Sequence, residues 1–330
     1  MTFSSKRYDS MPYRRCGQSG LLLPAISLGA WETFGGYRGE EVARECIFRA
    51  FDLGITHFDL ANNYGQPAGN AETVCGRVIK EMPRDELIVS TKAGYRMWPG
   101  PYGEMGGKKY MVASLDQSLK RLQLDYVDIF YSHRPDTQTP FEETLGTLDQ
   151  IVRQGKALYV GISSYSGAQF KECAALIERN GWSRIVIHQP CYNLLERKIE
   201  TDLLIHTEHH GCGVIAFCPL AQGLLTDKYL NGVPADSRAA LVWDENQRKR
   251  KLSEKFISRI RALNALAKER GQSLAQMALC WTLRDPRVTS ALIGASKIAQ
   301  IEENIAALST MTFSAVELAK IDEITPAAQT

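Results

Sequence analysis

The sequence predicts an α/β fold: a (β/α)8 TIM barrel with an N-terminal β-hairpin plug and long loops after the third and seventh strands. Three observations predict it. Short β-branched runs alternate with longer amphipathic segments. Eight such runs occur: Ala25–Gly29, Ile55–Leu60, Leu87–Thr91, Val127–Tyr131, Ala157–Ile162, Ile185–Gln189, Gly213–Phe217 and Ala291–Ile293. Three successive runs, the second to the fourth, lead into Asp59, Lys92 and His133, and a barrel presents its chemistry at the C-terminal ends of its strands. An open doubly wound sheet is the competing arrangement, and the number of β-α units favours closure.

The elements follow in order. Tyr13-Arg14-Arg15-Cys16, a Gly17-Gln18-Ser19-Gly20 turn and Leu21-Leu22-Leu23 read as a hairpin over about 13–23, placed to plug the N-terminal mouth. After the first run, Val42, Cys46, Ile47, Ala50 and Phe51 make one apolar helix face, and Gly54 is placed to end that helix. Val112, Leu115, Leu119 and Leu122 repeat the pattern. Ser273-Leu274-Ala275-Gln276 and Ser314-Ala315-Val316-Glu317 read as capping boxes. Two long polar or Gly/Pro-rich stretches, Tyr95–Lys109 and Asp227–Arg250, follow the third and seventh strands, where they can act as lids or cofactor clamps. One domain over residues 1–330 is expected, with the barrel core at about 25–310.

Composition narrows the function. With 44% hydrophobic and 23% charged residues, the 330-residue chain reads as a soluble globular protein with a core large enough to need no disulfides. The net charge of +2, with both signs interspersed, favours neither nucleic acid nor an anionic membrane. The eight cysteines include no Cys-x-x-Cys, so zinc and dithiol chemistry have no support, no metal is expected, and free thiols in a reducing cytoplasm are. Met1–Arg15 lacks an apolar stretch, so no signal peptide is expected, and no run approaches the length of about 20 apolar residues that spans a bilayer.

Asp59, Tyr64, Lys92 and His133 together suit the protonation of a carbonyl that receives a hydride. Negative charge develops on its oxygen and a donor must meet it. A phenol titrates near pH 10, and an adjacent ammonium lowers that value. In this reading Tyr64 is the acid, Lys92 tunes it, Asp59 holds Lys92 charged and in place, and His133 orients the carbonyl. His57, inside its run, is assigned no role. No Gly-x-Gly-x-x-Gly follows a strand, which disfavours a Rossmann site. Gly294-Ala295-Ser296-Lys297, at the start of an amphipathic segment from Ile298 to Leu308, suits a phosphate or an ordinary Ser cap. Trp31 and Trp98 can wall an apolar substrate site or pack in the core, and Arg96 and Arg134 can meet an anionic substrate or lie on the surface.

Over about residues 12–325 these residues resemble the aldo-keto reductases. Phe58-Asp59-Leu60-Ala61-Asn62-Asn63-Tyr64-Gly65, Ser90-Thr91-Lys92 and Tyr131-Ser132-His133 match that family's Asp/Tyr, Lys and His motifs in order. Ser90-Thr91-Lys92-Ala93-Gly94-Tyr95, with Met97-Trp98-Pro99-Gly100-Pro101-Tyr102-Gly103, is similar to the branch that includes potassium-channel β subunits and, most of all, bacterial L-glyceraldehyde 3-phosphate reductases. The resemblance implies a barrel that binds NADPH without a Rossmann fold and reduces small aldehydes or ketones such as glyceraldehyde 3-phosphate and methylglyoxal. It implies that Ser163 and Gln189 bind the carboxamide, Phe217 stacks on the nicotinamide, and Cys218, Leu220, Gln222 and Gly223 wrap the pyrophosphate with help from Lys228 and Arg238. It places Gly294, Ser296, Gln300, Glu303 and Asn304 at the adenosine, with the 2′-phosphate near Ser296. Trp31 and Asp59 complete the cofactor set, and Trp31, Tyr64, Trp98 and His133 form the substrate set. The chain departs from the family pattern at Ser164, where relatives often carry Asn, and at Cys218, where they often carry Ser. A homo-oligomer, tetramer or octamer, is implied by the resemblance alone. Two other functions fit the residues: an NADP(H)-binding redox-sensing regulatory subunit, and a Schiff-base aldolase using Lys92.

Overall fold

Closure of one sheet brings the polar strand ends together. The computed structural model describes residues 3–36, 38–235 and 237–327, and of Arg238 the backbone alone. The chain opens with an antiparallel hairpin, β1 (Tyr13–Arg15) and β2 (Leu22–Pro24). Eight parallel strands follow: β3 (Ile26–Gly29), β4 (His57–Asp59), β5 (Ile88–Ala93), β6 (Val127–Ser132), β7 (Ala157–Ser163), β8 (Ile185–Gln189), β9 (Gly213–Ala216) and β10 (Val288–Ile293). They pair in the order β10-β3-β4-β5-β6-β7-β8-β9, and β9 pairs with β10 to close the barrel. The (β/α)8 barrel expected from the sequence is therefore the fold. Strand limits move by a few residues, most at β10, which begins at Val288 rather than Ala291 because the polar Thr289 and Ser290 interrupt the apolar signal.

Helices cover the outside. α1 (Glu40–Asp52), α2 (Asn70–Ile79), α3 (Lys108–Leu122), α4 (Phe141–Arg153), α5 (Gly167–Asn180) and α6 (Leu203–His209) follow β3 to β8. In α1, Cys46, Ile47, Ala50 and Phe51 are buried and Val42 is half-buried at the edge of the face, while Gly54 turns the chain away at φ 90°. In α3 the buried face is Tyr110, Met111, Ser114, Leu115, Ser118 and Leu122, with Val112 and Leu119 at its margin. Two serines carry that face inward, so an apolar pattern alone placed it slightly off. After β9 come α7 (Arg238–Leu241), α8 (Glu245–Lys251), α9 (Glu254–Glu269) and α10 (Leu274–Leu283), and after β10 come α11 (Ile298–Ala306) and α12 (Ala315–Ile324). The boxes at Ser273/Gln276 and Ser314/Glu317 both form, at α10 and α12.

The barrel interior has an apolar half and a plugged floor. Ile129, Tyr131, Ile187, Ile215 and Leu292 point inward and pack on Cys16, Leu21 and Leu23 of the hairpin, which plugs the N-terminal mouth. A Cβ at Gly213, the first residue of β9, would lie 2.7 Å from Cys16 Cα, so the plug requires glycine there. Arg14 fixes the hairpin by donating to the carbonyls of Leu283 and Val288 at 3.0 and 2.9 Å. All eight cysteines are free thiols. No described helix is long and apolar enough to cross a membrane, and no metal-binding cluster of His, Cys, Asp or Glu occurs among the described residues.

Candidate active site

The period of two along a parallel strand sends every second side chain inward. It therefore sends His57 and Asp59 of β4, and Ser90 and Lys92 of β5, into the barrel, where all four are buried. Lys92 Nζ donates to Asp59 Oδ2 and, at 2.7 Å, to the carbonyl of Leu60. Asp59 Oδ1 accepts from Ser90 Oγ at 2.6 Å and from Gln189 Nε2 at 3.2 Å. Tyr64 enters from the loop after β4. Its carbonyl accepts from the amides of Gly69 and Ala71, both at 3.1 Å. Gly65 beside it turns at φ 89°, and a Cβ there would meet Ala71 N at 2.5 Å, so only glycine fits.

The phenol oxygen of Tyr64 stands 3.5 Å from Lys92 Nζ and 3.5 Å from His133 Nε2. Both contacts are long for hydrogen bonds, as catalytic contacts often are before a ligand draws them in. His133 follows β6, its amide bonded to Ala93 O at 2.9 Å and its ring edge-on to those of Tyr64 and Tyr95. The structure thus brings all four predicted groups around one point.

Their electrostatics differ from the sequence expectation in one respect. Burial, reinforced by Asp59, pushes the Tyr64 phenol well above its ordinary value. The Lys92 ammonium, already paired with Asp59, does not offset that rise. Tyr64 is held as the protonated acid. Burial holds His133 well below its ordinary value, with Lys92 and Arg134 acting in the same direction, so its imidazole is neutral at pH 7. Burial also lowers Lys92, against an opposing pull from Asp59.

A cleft of about 680 Å³ opens from Tyr64 and His133, within the usual range of about 300–1,000 Å³ for ligand sites. Trp31, Asp59, Ser163, Gln189 and Phe217 line it together with these two residues. It continues past Cys218, Leu220, Gln222, Gly223 and Lys228, and past Gly294, Ser296, Gln300, Glu303 and Asn304. Every predicted cofactor residue therefore lines one cleft except Arg238, whose side chain lies outside the described residues. Cys218, Ala221 and Gln222 hold left-handed backbone, at φ 54°, 47° and 60°. Such strained turns cluster where backbone amides are aimed at a ligand. At the far end Ser296 N donates to Gln300 Oε1 at 2.9 Å, and Lys297 caps α11 with its backbone rather than its side chain. Of the two readings of this segment, the ordinary Ser cap is not what forms, since Lys297 takes that position. This donor set, an aromatic face at one end and a helix N-terminus with Ser and Lys at the other, fits a dinucleotide.

The profile of the Aldo/keto reductase family matches residues 25–326. The chain belongs to the aldo/keto reductase family. Among the relatives of this aldo/keto reductase is the L-glyceraldehyde 3-phosphate reductase of Escherichia coli K12, 56% identical over 96% of this chain and 93% of that protein. A probable voltage-gated potassium channel subunit beta of Arabidopsis thaliana is 36% identical over 95% and 96% of the two chains. A putative subunit of the same kind from Schizosaccharomyces pombe is 37% identical over 96% and 93%. Membership makes the protein an oxidoreductase that works with a nicotinamide cofactor.

Trp98, predicted to contact the substrate, and Arg96 and Arg134, read as either substrate or surface arginines, lie outside the cleft lining of this reductase. Trp98 packs on the ring of Tyr110, centroids 5.2 Å apart, and does not line the cleft. Arg134 lies over the Tyr95 ring, donates to Gly94 O and pairs with Glu104, each at 3.0 Å. Arg96 is exposed outside the cleft lining. The stretch after β5 contributes Tyr95 to the lining, whereas the stretch after β9 contributes Asp227, Lys228 and Tyr229. The cation that sequence reading missed is Arg38, in the loop after β3, which lines the cleft with Trp31 and Thr33. Its only signal was its place after a strand end.

Proposed function

We propose that this protein is an NADPH-dependent reductase of small aldehydes and ketones, with Tyr64 as proton donor. The observation that carries the reading is the phenol oxygen of Tyr64, equidistant at 3.5 Å from Lys92 Nζ and His133 Nε2 at the end of the cleft. When bound there, the nicotinamide supplies a hydride. Ser163 and Gln189 suit its carboxamide, Phe217 its ring, and Ser296 with Lys297 the 2′-phosphate that separates NADPH from NADH. His133 Nε2 and Tyr64 Oη hold the carbonyl oxygen, and Tyr64 gives it a proton as negative charge develops. A phenol held protonated still suffices, because an alkoxide is a far stronger base than a phenolate. The phenolate left behind lies beside the Lys92 ammonium, which stabilises it.

The name of the Escherichia coli relative supports L-glyceraldehyde 3-phosphate as a substrate, and Arg38 supplies a cation in the cleft for its phosphate. Methylglyoxal is a second candidate of the same size class. Free thiols throughout suit a reducing, cytoplasmic setting. An aldolase reading is disfavoured because Lys92 is fully buried with its ammonium engaged by Asp59 and Leu60. The channel-subunit relatives favour a second reading, an NADP(H)-binding regulatory subunit with slow turnover. Stopped-flow oxidation of bound NADPH by methylglyoxal separates the two, since only the regulatory reading expects it to be slow.

The direct test is Tyr64→Phe. Loss of a general acid lowers turnover by roughly 10²–10⁴, while NADPH binding, followed by its fluorescence, is retained. Undiminished aldehyde reduction in that variant rejects the assignment.

A further inference from the structure

One half of the barrel interior is polar, and the polar groups form a single chain. Ser290 Oγ of β10 lies 2.7 Å from Ser27 Oγ of β3, which lies 2.9 Å from His57 Nδ1 of β4. His57 Nε2 lies 3.0 Å from Ser90 Oγ of β5, and Ser90 Oγ lies 2.6 Å from Asp59 Oδ1. All five residues are buried at 1% exposure or less.

Counting protons fixes the direction of the chain. The Asp59 carboxylate, paired with the Lys92 ammonium, only accepts, so the single hydroxyl proton of Ser90 goes to it. Ser90 must then accept from His57, which puts a proton on Nε2. Burial pushes the His57 pKa down to about 4, so at neutral pH the ring carries one proton and Nδ1 is bare. Nδ1 accepts from Ser27, and Ser27 in turn accepts from Ser290. In the opposite tautomer Nε2 would need the Ser90 proton for itself, and Asp59 would lose its shortest neutral donor.

The geometry points to His57 as a positioning residue of the reductase site: as the Nε2–H tautomer it aims the Ser90 hydroxyl at Asp59 and so fixes the carboxylate that holds Lys92 beside Tyr64. The inference rests on the reductase reading for its kinetic consequence, but its proton placement does not depend on it. His57 touches neither the cleft nor the reacting groups, so its effect falls on turnover rather than binding.

Two measurements test it. Nitrogen-15 NMR of histidine-labelled protein, with the His57 signal assigned by its loss in His57→Gln, is expected to show a neutral ring protonated at Nε2. A ring protonated at Nδ1 overturns the relay, whether or not the protein reduces aldehydes. In steady-state kinetics, His57→Leu and Ser90→Ala are each expected to lower kcat about tenfold, the scale of one hydrogen bond to a charged group, with KM for NADPH and aldehyde little changed. His57→Gln, whose amide can donate to Ser90 and accept from Ser27, is expected to recover most of the loss. Unchanged kcat in Ser90→Ala, or equal losses in His57→Leu and His57→Gln, overturns the positioning role. A wild-type protein that reduces no aldehyde would instead sink the reductase reading and leave the NMR result to decide the relay.

Discussion

Lys92 and Asp59 form an ion pair at the centre of the barrel mouth, with side-chain exposures of 0% and 1%. A pair this deep draws little net stability from its attraction, because removing both charges from water offsets it, but breaking it leaves one charge buried alone. Lys92→Met is therefore expected to cost about 3–5 kcal/mol of unfolding free energy and roughly 10² or more in turnover. The double variant Asp59→Asn/Lys92→Met is expected to regain most of the stability and none of the activity. Urea unfolding beside turnover checks both. A double variant no more stable than Lys92→Met would contradict the pairing argument.

The cleft holds Arg38, to which the linear reading assigns nothing, and not Arg134, for which a substrate contact is one of two readings. Arg134 donates to Gly94 O, pairs with Glu104 and lies over the Tyr95 ring. Arg38→Met is expected to raise KM for glyceraldehyde 3-phosphate about 10-fold or more, since a charge-assisted contact is worth about 1.5–3 kcal/mol. KM for unphosphorylated glyceraldehyde should stay within about twofold, lacking that contact. Arg134→Met should lower thermal stability instead. Parallel KM changes for both aldehydes in Arg38→Met would remove Arg38 from phosphate recognition.

Cofactor choice is expected to depend on Lys297 in the same way. Its backbone caps α11 and its residue lines the far end of the cleft beside Ser296. Lys297→Ala should raise KM for NADPH about tenfold, with KM for NADH little changed, and the difference should shrink at high salt. Equal effects on the two cofactors would place the 2′-phosphate elsewhere.

The residues that could be read from the sequence are those whose position along a strand decides their role. Asp59, Lys92 and His133 end or follow apolar runs, and closure of the barrel gathers strand ends without further information. The cofactor residues came into view through family resemblance, because Ser163, Gln189 and Phe217 are individually ordinary. Loop residues were harder. Trp98 turns to Tyr110 and Arg134 to Glu104 through contacts that no local pattern encodes. His57 was illegible for another reason: its partners Ser27, Ser90 and Asp59 come from three strands, and only the register of the closed sheet aligns them. Gly161 is similar, since a Cβ there would lie 2.4 Å from the Tyr131 ring on the adjacent strand.

Buried histidines set the acid limit of the fold. Burial pushes His57 down to about 4 and His188 down to about 3, and holds His133 low as well. An unfolded histidine titrates near 6.5. Between these values the unfolded chain binds protons that the folded chain refuses, so stability rises with pH there. The contribution is complete above about pH 6.5 and is lost as pH falls toward 4 and then 3. Between pH 7 and pH 5 His57 and His188 are each expected to cost about 2 kcal/mol of unfolding free energy. His188 lies away from the cleft lining, its ring 5.9 Å from that of Phe170, so it can be changed without touching the proposed chemistry. His188→Leu is expected to shrink the difference in urea-unfolding free energy between pH 7 and pH 5 by about 2 kcal/mol while leaving turnover unaltered. A difference as large as that of the wild type would show that His188 takes up no proton on unfolding in this range.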